Sequence, residues 1–371
     1  MDAFVLSRIQ FGAMTYFHLL FPAVTMTLGW VLLFFRLRAA VPGGGVWLHA
    51  YRFWLPVFAV TLALGFVSGA ALLFQADLSF PRFAELAGPA FALAILLAGI
   101  GVCLQALGLG VAFLAPGRVS DRIETAAVAL AATGATLTAL WPAVLAGWMR
   151  HPTAAGELVL TPQAALLSLQ LVLGSAVITG FLLAGLSAYR QLIGDATRNA
   201  ALTLRVGLDL SAGASMLALA YTVMRYGLPP VQTEAWLLQL GYSVLLVSTI
   251  LLWHLARTGG LSPAALAGLV VSPLAGWTLL LAGWFVGGTV QSGWLITGVL
   301  RMDQALAVSA YRSAAATLPL YAATMVVLLV AYWGVLLLMA RNTARQSRPN
   351  MMRAGGAVQL PSIRPHAAPV R

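Results

Sequence analysis

The chain is short of charge. Asp, Glu, Lys and Arg together make up 8% of its 371 residues, too few to cover the surface of a water-soluble domain. Lysine is missing, so all 21 basic residues are Arg, set against 10 acidic ones. Cysteine is reduced to Cys103, inside an apolar run. One thiol builds no disulfide, zinc cluster or iron–sulfur cluster, and there is no C-x-x-C-H motif for covalent haem.

What fills the chain instead is apolar: 61% hydrophobic residues, with a mean hydropathy of +0.91. A bilayer-spanning helix needs about 20 apolar residues. Nine candidate spans lie at about 12–36, 53–75, 88–115, 125–148, 164–189, 203–225, 235–256, 263–287 and 317–340. The fold class is therefore an all-α polytopic membrane bundle. Several spans carry glycine (Gly65, Gly69, Gly99, Gly101, Gly108, Gly110), which lets helices approach closely. The first run is too long for a signal peptide and reads as a retained span. No internal repeat stands out.

The net charge of +11 suits membrane topology better than nucleic acid, because the arginines sit at the ends of apolar runs. After odd-numbered spans come Arg36, Arg38 and Arg52, then Arg118 and Arg122, then Arg190, Arg198 and Arg205, then Arg257, then the tail. The other side holds mostly one Arg per loop. The positive-inside rule then predicts an external N-terminus and a cytoplasmic C-terminus. The loop at about 288–316, with Arg301, Asp303 and Arg312, is the longest on the outer side. Residues 1–340 read as one transmembrane domain. Residues 341–371, rich in Arg and Pro, read as a disordered basic cytoplasmic tail.

Ionisable groups at membrane depth are candidates for function. His18 sits inside the first span. It is either a metal ligand or a packing histidine bonded to a neighbouring carbonyl or hydroxyl. His49 and His151 fall in loops, His254 near a span end, and His366 in the tail. Asp209 lies in span six with Arg205 four residues earlier, which predicts an i,i+4 ion pair; the sharper alternative is a proton-entry carboxylate. Gln75, Gln105, Gln163, Gln170, Gln239 and Gln291 can hydrogen-bond between helices but cannot carry a proton at neutral pH. Methionines such as Met14, Met26, Met216, Met224 and Met302 can donate sulfur to iron, though packing is their commoner use.

Five short stretches, in order along residues 6–300, resemble subunit I of the cytochrome bd quinol oxidases. They are Ser7-Arg8-Ile9-Gln10-Phe11 with Phe17-His18-Leu19-Leu20-Phe21-Pro22; Arg52-Phe53-Trp54 with Ala63–Gly69 and Phe74-Gln75; Gly88-Pro89; Leu137–Trp141 with Gly147-Trp148-Met149; and Ala282–Val286 with Trp294. The resemblance implies haems of b and d type, a quinol donor, dioxygen as acceptor, and a second membrane subunit of similar fold. It places His18 at an axial ligand of a high-spin haem, and Trp284 and Trp294 at tryptophans near the haems. Other family positions differ here. The low-spin haem's histidine falls near Leu171 and its methionine near Gln239. A glutamate ligand falls at Gly288, and a motif arginine at Gln291. The proton-delivering glutamates fall at about Leu97 and Gln105, and the asparagine before Gly-Trp-Met is Ala146. The quinol loop shrinks to about Tyr226–Glu234.

The sequence thus predicts a multi-pass subunit of a bd-like oxidase in a bacterial inner membrane. It would pass electrons from quinol or another membrane donor through haem toward dioxygen. His18 would ligate iron, with Trp284 and Trp294 beside the cofactor and Gln105 and Asp209 at proton-handling positions. The alternative is a haem-poor, non-catalytic family member that acts as structural or assembly partner of a redox complex. A transporter would need charged midplane residues and broken helices, which the sequence does not offer.

Overall fold

A computed structural model describes residues 3–114, 117–152, 160–228, 230, 233–258, 260–288, 293–305 and 308–355. Its helices are α1 (Ala3–Ala39), α2 (Gly45–Ser79), α3 (Pro81–Leu114), α4 (Asp121–Trp148), α5 (Pro162–Leu192), α6 (Arg198–Tyr226), α7 (Thr233–Thr258), α8 (Pro263–Gly288), the short α9 (Met302–Ala305) and α10 (Val308–Gly355). A two-residue-to-three-residue hairpin, β1 (Trp294–Ile296) with β2 (Leu300–Arg301), precedes α9. Nine helices among the described residues are long and apolar enough to cross a membrane, in agreement with the nine expected spans.

Local signals mark where these helices start and stop. Pro162 opens α5, where its missing N–H removes nothing, and Thr161 caps it by accepting from the Ala164 N–H at 3.1 Å. Ser120 caps α4 through the Ile123 N–H. Gly88 breaks α3 with φ +27°, a conformation that the following Pro89 and the lack of a Cβ together permit. The helix α10 continues past Arg341, into the segment expected to be disordered, as far as Gly355. Ala, Arg, Gln and Met are good helix formers, so low apolar content alone does not end a helix. Residues 356–371 lie outside the described residues.

The first four helices form one bundle, with α1 against α2 and α4 and with α3 against α4. The next four form a second, with α5 against α6 and α8 and with α6 against α7. The bundles meet where α5 packs on α1 and α4, and α10 lies against α1, α2 and α5. The α3–α4 contact is close enough that a Cβ on Gly101 or Gly134 would run into the facing backbone.

The ends of the helices are tied by ion pairs whose arginines are buried. Arg36, in the last turn of α1, pairs with Asp121 at 2.6 Å and Glu124 at 3.2 Å in the first turn of α4. Each charge sits at the helix end its sign favours. Arg190 and Asp195, both fully buried, pair at 2.8 Å, and the guanidinium lies 4.3 Å from the centre of the Phe53 ring. At the opposite end, the described part of the segment expected to be a long outer loop, residues 293–305, is folded. Ile296, Leu300 and Ala305 pack with Phe80, Leu145 and Trp148, and the Thr297 N–H donates to the Met149 carbonyl at 2.9 Å.

Candidate functional site

The site is built around one turn of α1. Pro22 has no N–H, so the carbonyl of His18, four residues back, loses its intrahelical donor. The His18 ring is turned toward α2, where Gly69 makes room for it. A Cβ at Gly69 would stand 2.9 Å from the ring Cε1. His18 Nδ1 lies 3.0 Å from Ser68 Oγ, and Ser68 Oγ donates in turn to the Gly65 carbonyl at 3.1 Å.

That short relay accommodates the tautomer that haem ligation needs. A serine hydroxyl has one proton. With that proton given to Gly65, Ser68 Oγ accepts from His18 Nδ1–H, and Nε2 keeps its lone pair. A neutral imidazole with one free ring nitrogen is the form that binds haem iron. The packing-histidine alternative used a hydroxyl partner, and the partner is there. It occupies only one of the two nitrogens.

The imidazole faces a cavity of about 390 Å³ inside the first bundle, where α2 and α3 part. The size is that of a small-molecule pocket. Its walls are mostly apolar, and Gly69, Gly99, Cys103, Gln105 and Thr138 line it together with His18. Gln105 is buried. Its Nε2 donates to Thr138 Oγ at 2.8 Å, while its Oε1 has no hydrogen-bond partner among the described residues. A buried acceptor left open beside a cavity is costly unless something in the cavity satisfies it. His18 and Gln105, which lie far apart in the chain, are thus brought to one site.

The remaining expected residues lie elsewhere. Asp209 does not pair with Arg205. It accepts from Trp253 Nε1 at 2.5 Å and from Arg257 at 3.3 Å, both on α7. The cross-helix partners win because Arg205 precedes Asp209 in the chain, the weaker order for an i,i+4 pair. Asp209 lies level with Phe34 of α1, roughly 24 Å along that helix from His18 at 1.5 Å per residue. Trp284 is half-buried against the main core, and Trp294 lies in β1 with Arg301 5.8 Å from its ring centre. Neither lines the His18 cavity. His254 and His151 are exposed, and His49 bonds the Gly45 carbonyl at 2.7 Å. Gln291 lies outside the described residues.

The two haem positions that the resemblance implies fare differently. Around His18 the residues fit a haem: one free imidazole nitrogen, an apolar cavity, and a glycine where a side chain would block the ring. Between α5 and α7 they do not. Leu171 is packed in the core with no donor atom. Gln239 spends its amide N–H groups on the carbonyls of Gly227 at 2.9 Å and Thr222 at 3.3 Å. The gap that Gln170, Tyr221, Leu238 and Tyr242 enclose leaves no room for a water molecule.

A polar cluster near the start of α5 escaped the sequence reading. Gln163, with its amide turned so that the oxygen faces them, accepts from Arg225 at 2.9 Å and Arg150 at 2.8 Å. Burial and the nearby Arg225 guanidinium push Arg150 below the ordinary arginine range. Its members come from three separate segments of the chain, with no spacing signal that would have revealed it.

Fold and site together define a polytopic helical membrane protein with an intramembrane imidazole facing an apolar pocket. The profile of the family described as cytochrome bd terminal oxidase subunit I matches residues 6–228, and the chain belongs to that family. It is 28% identical over 155 residues to the cytochrome bd-II ubiquinol oxidase subunit 1 of Escherichia coli (strain K12), a match covering 42% of this chain and 30% of that one. It is 23% identical over 205 residues to the cytochrome bd ubiquinol oxidase subunit 1 of Bacillus subtilis (strain 168), covering 52% and 44%. The matched stretches thus span less than half the length of either relative. The fold is similar to a chain of the bd oxidase from Geobacillus thermodenitrificans, with a TM-score of 0.75 at 15% identity, over 92% of this chain and 99% of that one.

The glycine beside His18 gives a first expected result. In Gly69→Val the added methyls displace the imidazole from its place against α2. Haem bound to the purified variant should fall sharply while the elution profile on size exclusion stays that of the native protein. Full haem retention would show that the ring does not need that position.

Proposed function

We propose that this chain is a haem-binding redox subunit of a bd-type terminal oxidase complex, holding a single haem through His18 Nε2 and passing electrons from a membrane donor toward dioxygen. The observation that carries this reading is that His18, with its Nδ1 engaged by Ser68, lines an apolar cavity. Haem, when bound, supplies the one-electron and oxygen chemistry. His18 binds the iron, and Ser68 fixes the ring and its tautomer. The apolar walls exclude water, and Gln105 offers an acceptor to a ligand, water or hydroxyl in the cavity without exchanging a proton itself.

In this reading the chain sits in a bacterial inner membrane with its N-terminus outside, next to a second membrane subunit. The names of the two curated relatives state ubiquinol oxidase activity for those proteins, and quinol is the donor to test first. Asp209, held by Arg257 and Trp253, is too far from His18 to deliver its protons directly.

A second reading has its own support. The lack of a donor at Leu171, with Gln239 committed to Gly227 and Thr222, favours a non-catalytic partner that has given up haem. The haem-to-protein ratio separates the two. Pyridine haemochrome assay of the purified protein should give one haem per chain, with oxygen uptake on addition of a reduced quinol. A protein without haem establishes the second reading.

The hydroxyl that orients a ligating histidine matters nearly as much as the ligand. In Ser68→Ala, haem affinity should fall by about 10- to 100-fold, and Ser68→Thr, which keeps the hydroxyl, should restore most of it. Titration of haem into the stripped protein measures both.

A further inference from the structure

The Arg-rich end of the molecule holds a second cavity, well away from His18. Of about 490 Å³, it lies between the end of α1, the start of α2, the first turns of α6 and the last turns of α7. Phe34, Trp47, Leu202, Arg205, Asp209 and Arg257 line it.

One wall is aromatic and aliphatic. The rings of Phe34 and Trp47 meet edge to face with centres 5.3 Å apart. The other wall is cationic. Arg205 has no ion-pair or hydrogen-bond partner among the described residues. Arg257 is half-exposed, and the Arg38 guanidinium lies 5.3 Å from the Trp47 ring centre. Two guanidiniums thus share the cavity with one carboxylate, and that carboxylate, Asp209, is already held by Trp253 and Arg257.

An occupant has to satisfy both walls. A small soluble anion would leave Phe34, Trp47 and Leu202 without a use, and a neutral lipid or quinone would leave Arg205 without one. We propose that this cavity binds one anionic phospholipid, with Arg205 and Arg257 on its phosphate and an acyl chain along Phe34 and Leu202. Basic pockets between helices at a membrane face bind such headgroups. Asp209 then serves to hold Arg257 and Trp253 in place for the phosphate.

The test uses the full-length protein, delipidated in detergent, with phosphatidylglycerol, phosphatidylcholine and inorganic phosphate as separate probes. Native mass spectrometry should show one retained phosphatidylglycerol, and only that lipid should raise the thermal midpoint at sub-stoichiometric detergent partitioning. Removing one juxtamembrane charge weakens such binding by about 1 kcal/mol, or about fivefold. Arg205→Gln should therefore lose about fivefold in phosphatidylglycerol affinity, and Arg205→Lys should lose little. Arg205 is exposed and unpaired, so its replacement should not disturb folding, and the unliganded midpoint checks that. Three results overturn the proposal: equal stabilisation by phosphatidylcholine, which marks non-specific acyl binding; equal stabilisation by inorganic phosphate, which marks a small-anion site; and unchanged affinity in Arg205→Gln.

Discussion

Replacing His18 by Ala is expected to remove nearly all haem from the purified protein and to leave the bundle assembled. The imidazole projects into a cavity, so truncating it deletes few packing contacts. It also relieves α1 of a polar group at membrane depth. What is lost is the one nitrogen that the Ser68 relay leaves free. Soluble imidazole added to His18→Ala should restore part of the haem absorbance, because the cavity left by the side chain admits the same donor. Haem retained in full by His18→Ala would show that iron is held by another residue.

The second large effect concerns stability. Asp195→Ala leaves Arg190 as a buried guanidinium without its carboxylate. Arg190 and Asp195 are both fully buried, and Asp195 also accepts from the Thr197 N–H at 3.1 Å. Removing one partner of such a pair costs about 3–5 kcal/mol, because the remaining buried charge loses its counter-charge and keeps neutral partners such as Asn199 Oδ1, at 3.1 Å, and the Phe53 ring. The thermal midpoint, followed by size exclusion after heating, should fall well below that of the native protein. The double variant Arg190→Leu/Asp195→Ala, which removes both charges, should recover much of the loss. Asp195→Ala with a native midpoint would show that water or a shifted side chain reaches Arg190.

Parts of this were legible in the sequence. Apolar run length gives nine spans because a bilayer demands it, whatever the packing inside. His18 stands out because an imidazole is rare at that depth. Ser68 and Gly69 do not, since a serine and a glycine in an apolar run look like ordinary small packing residues. Only the fold shows that one orients the ring and the other makes space for it. Arg190 reads as one more topological charge, and its burial follows from Phe53 and Asp195 closing over it from different elements. The Asp209 pair was misplaced for a related reason: sequence spacing sees Arg205 on the same helix but not Trp253 and Arg257 across the hairpin. At Leu171 and Gln239 the missing donors were visible, whereas the narrow gap beside Gln170 and Leu238 was not.

The central claim is one haem, held on one side by His18, with no low-spin partner between α5 and α7. Electron paramagnetic resonance of the oxidised, purified protein tests it most directly, with total haem measured on the same sample. The account predicts a high-spin ferric signal equivalent to one haem per chain, absent in His18→Ala. A stoichiometric low-spin signal that persists in His18→Ala would contradict it, because it would require a second pair of ligands where Leu171 has no donor atom and Gln239 is committed to Gly227 and Thr222.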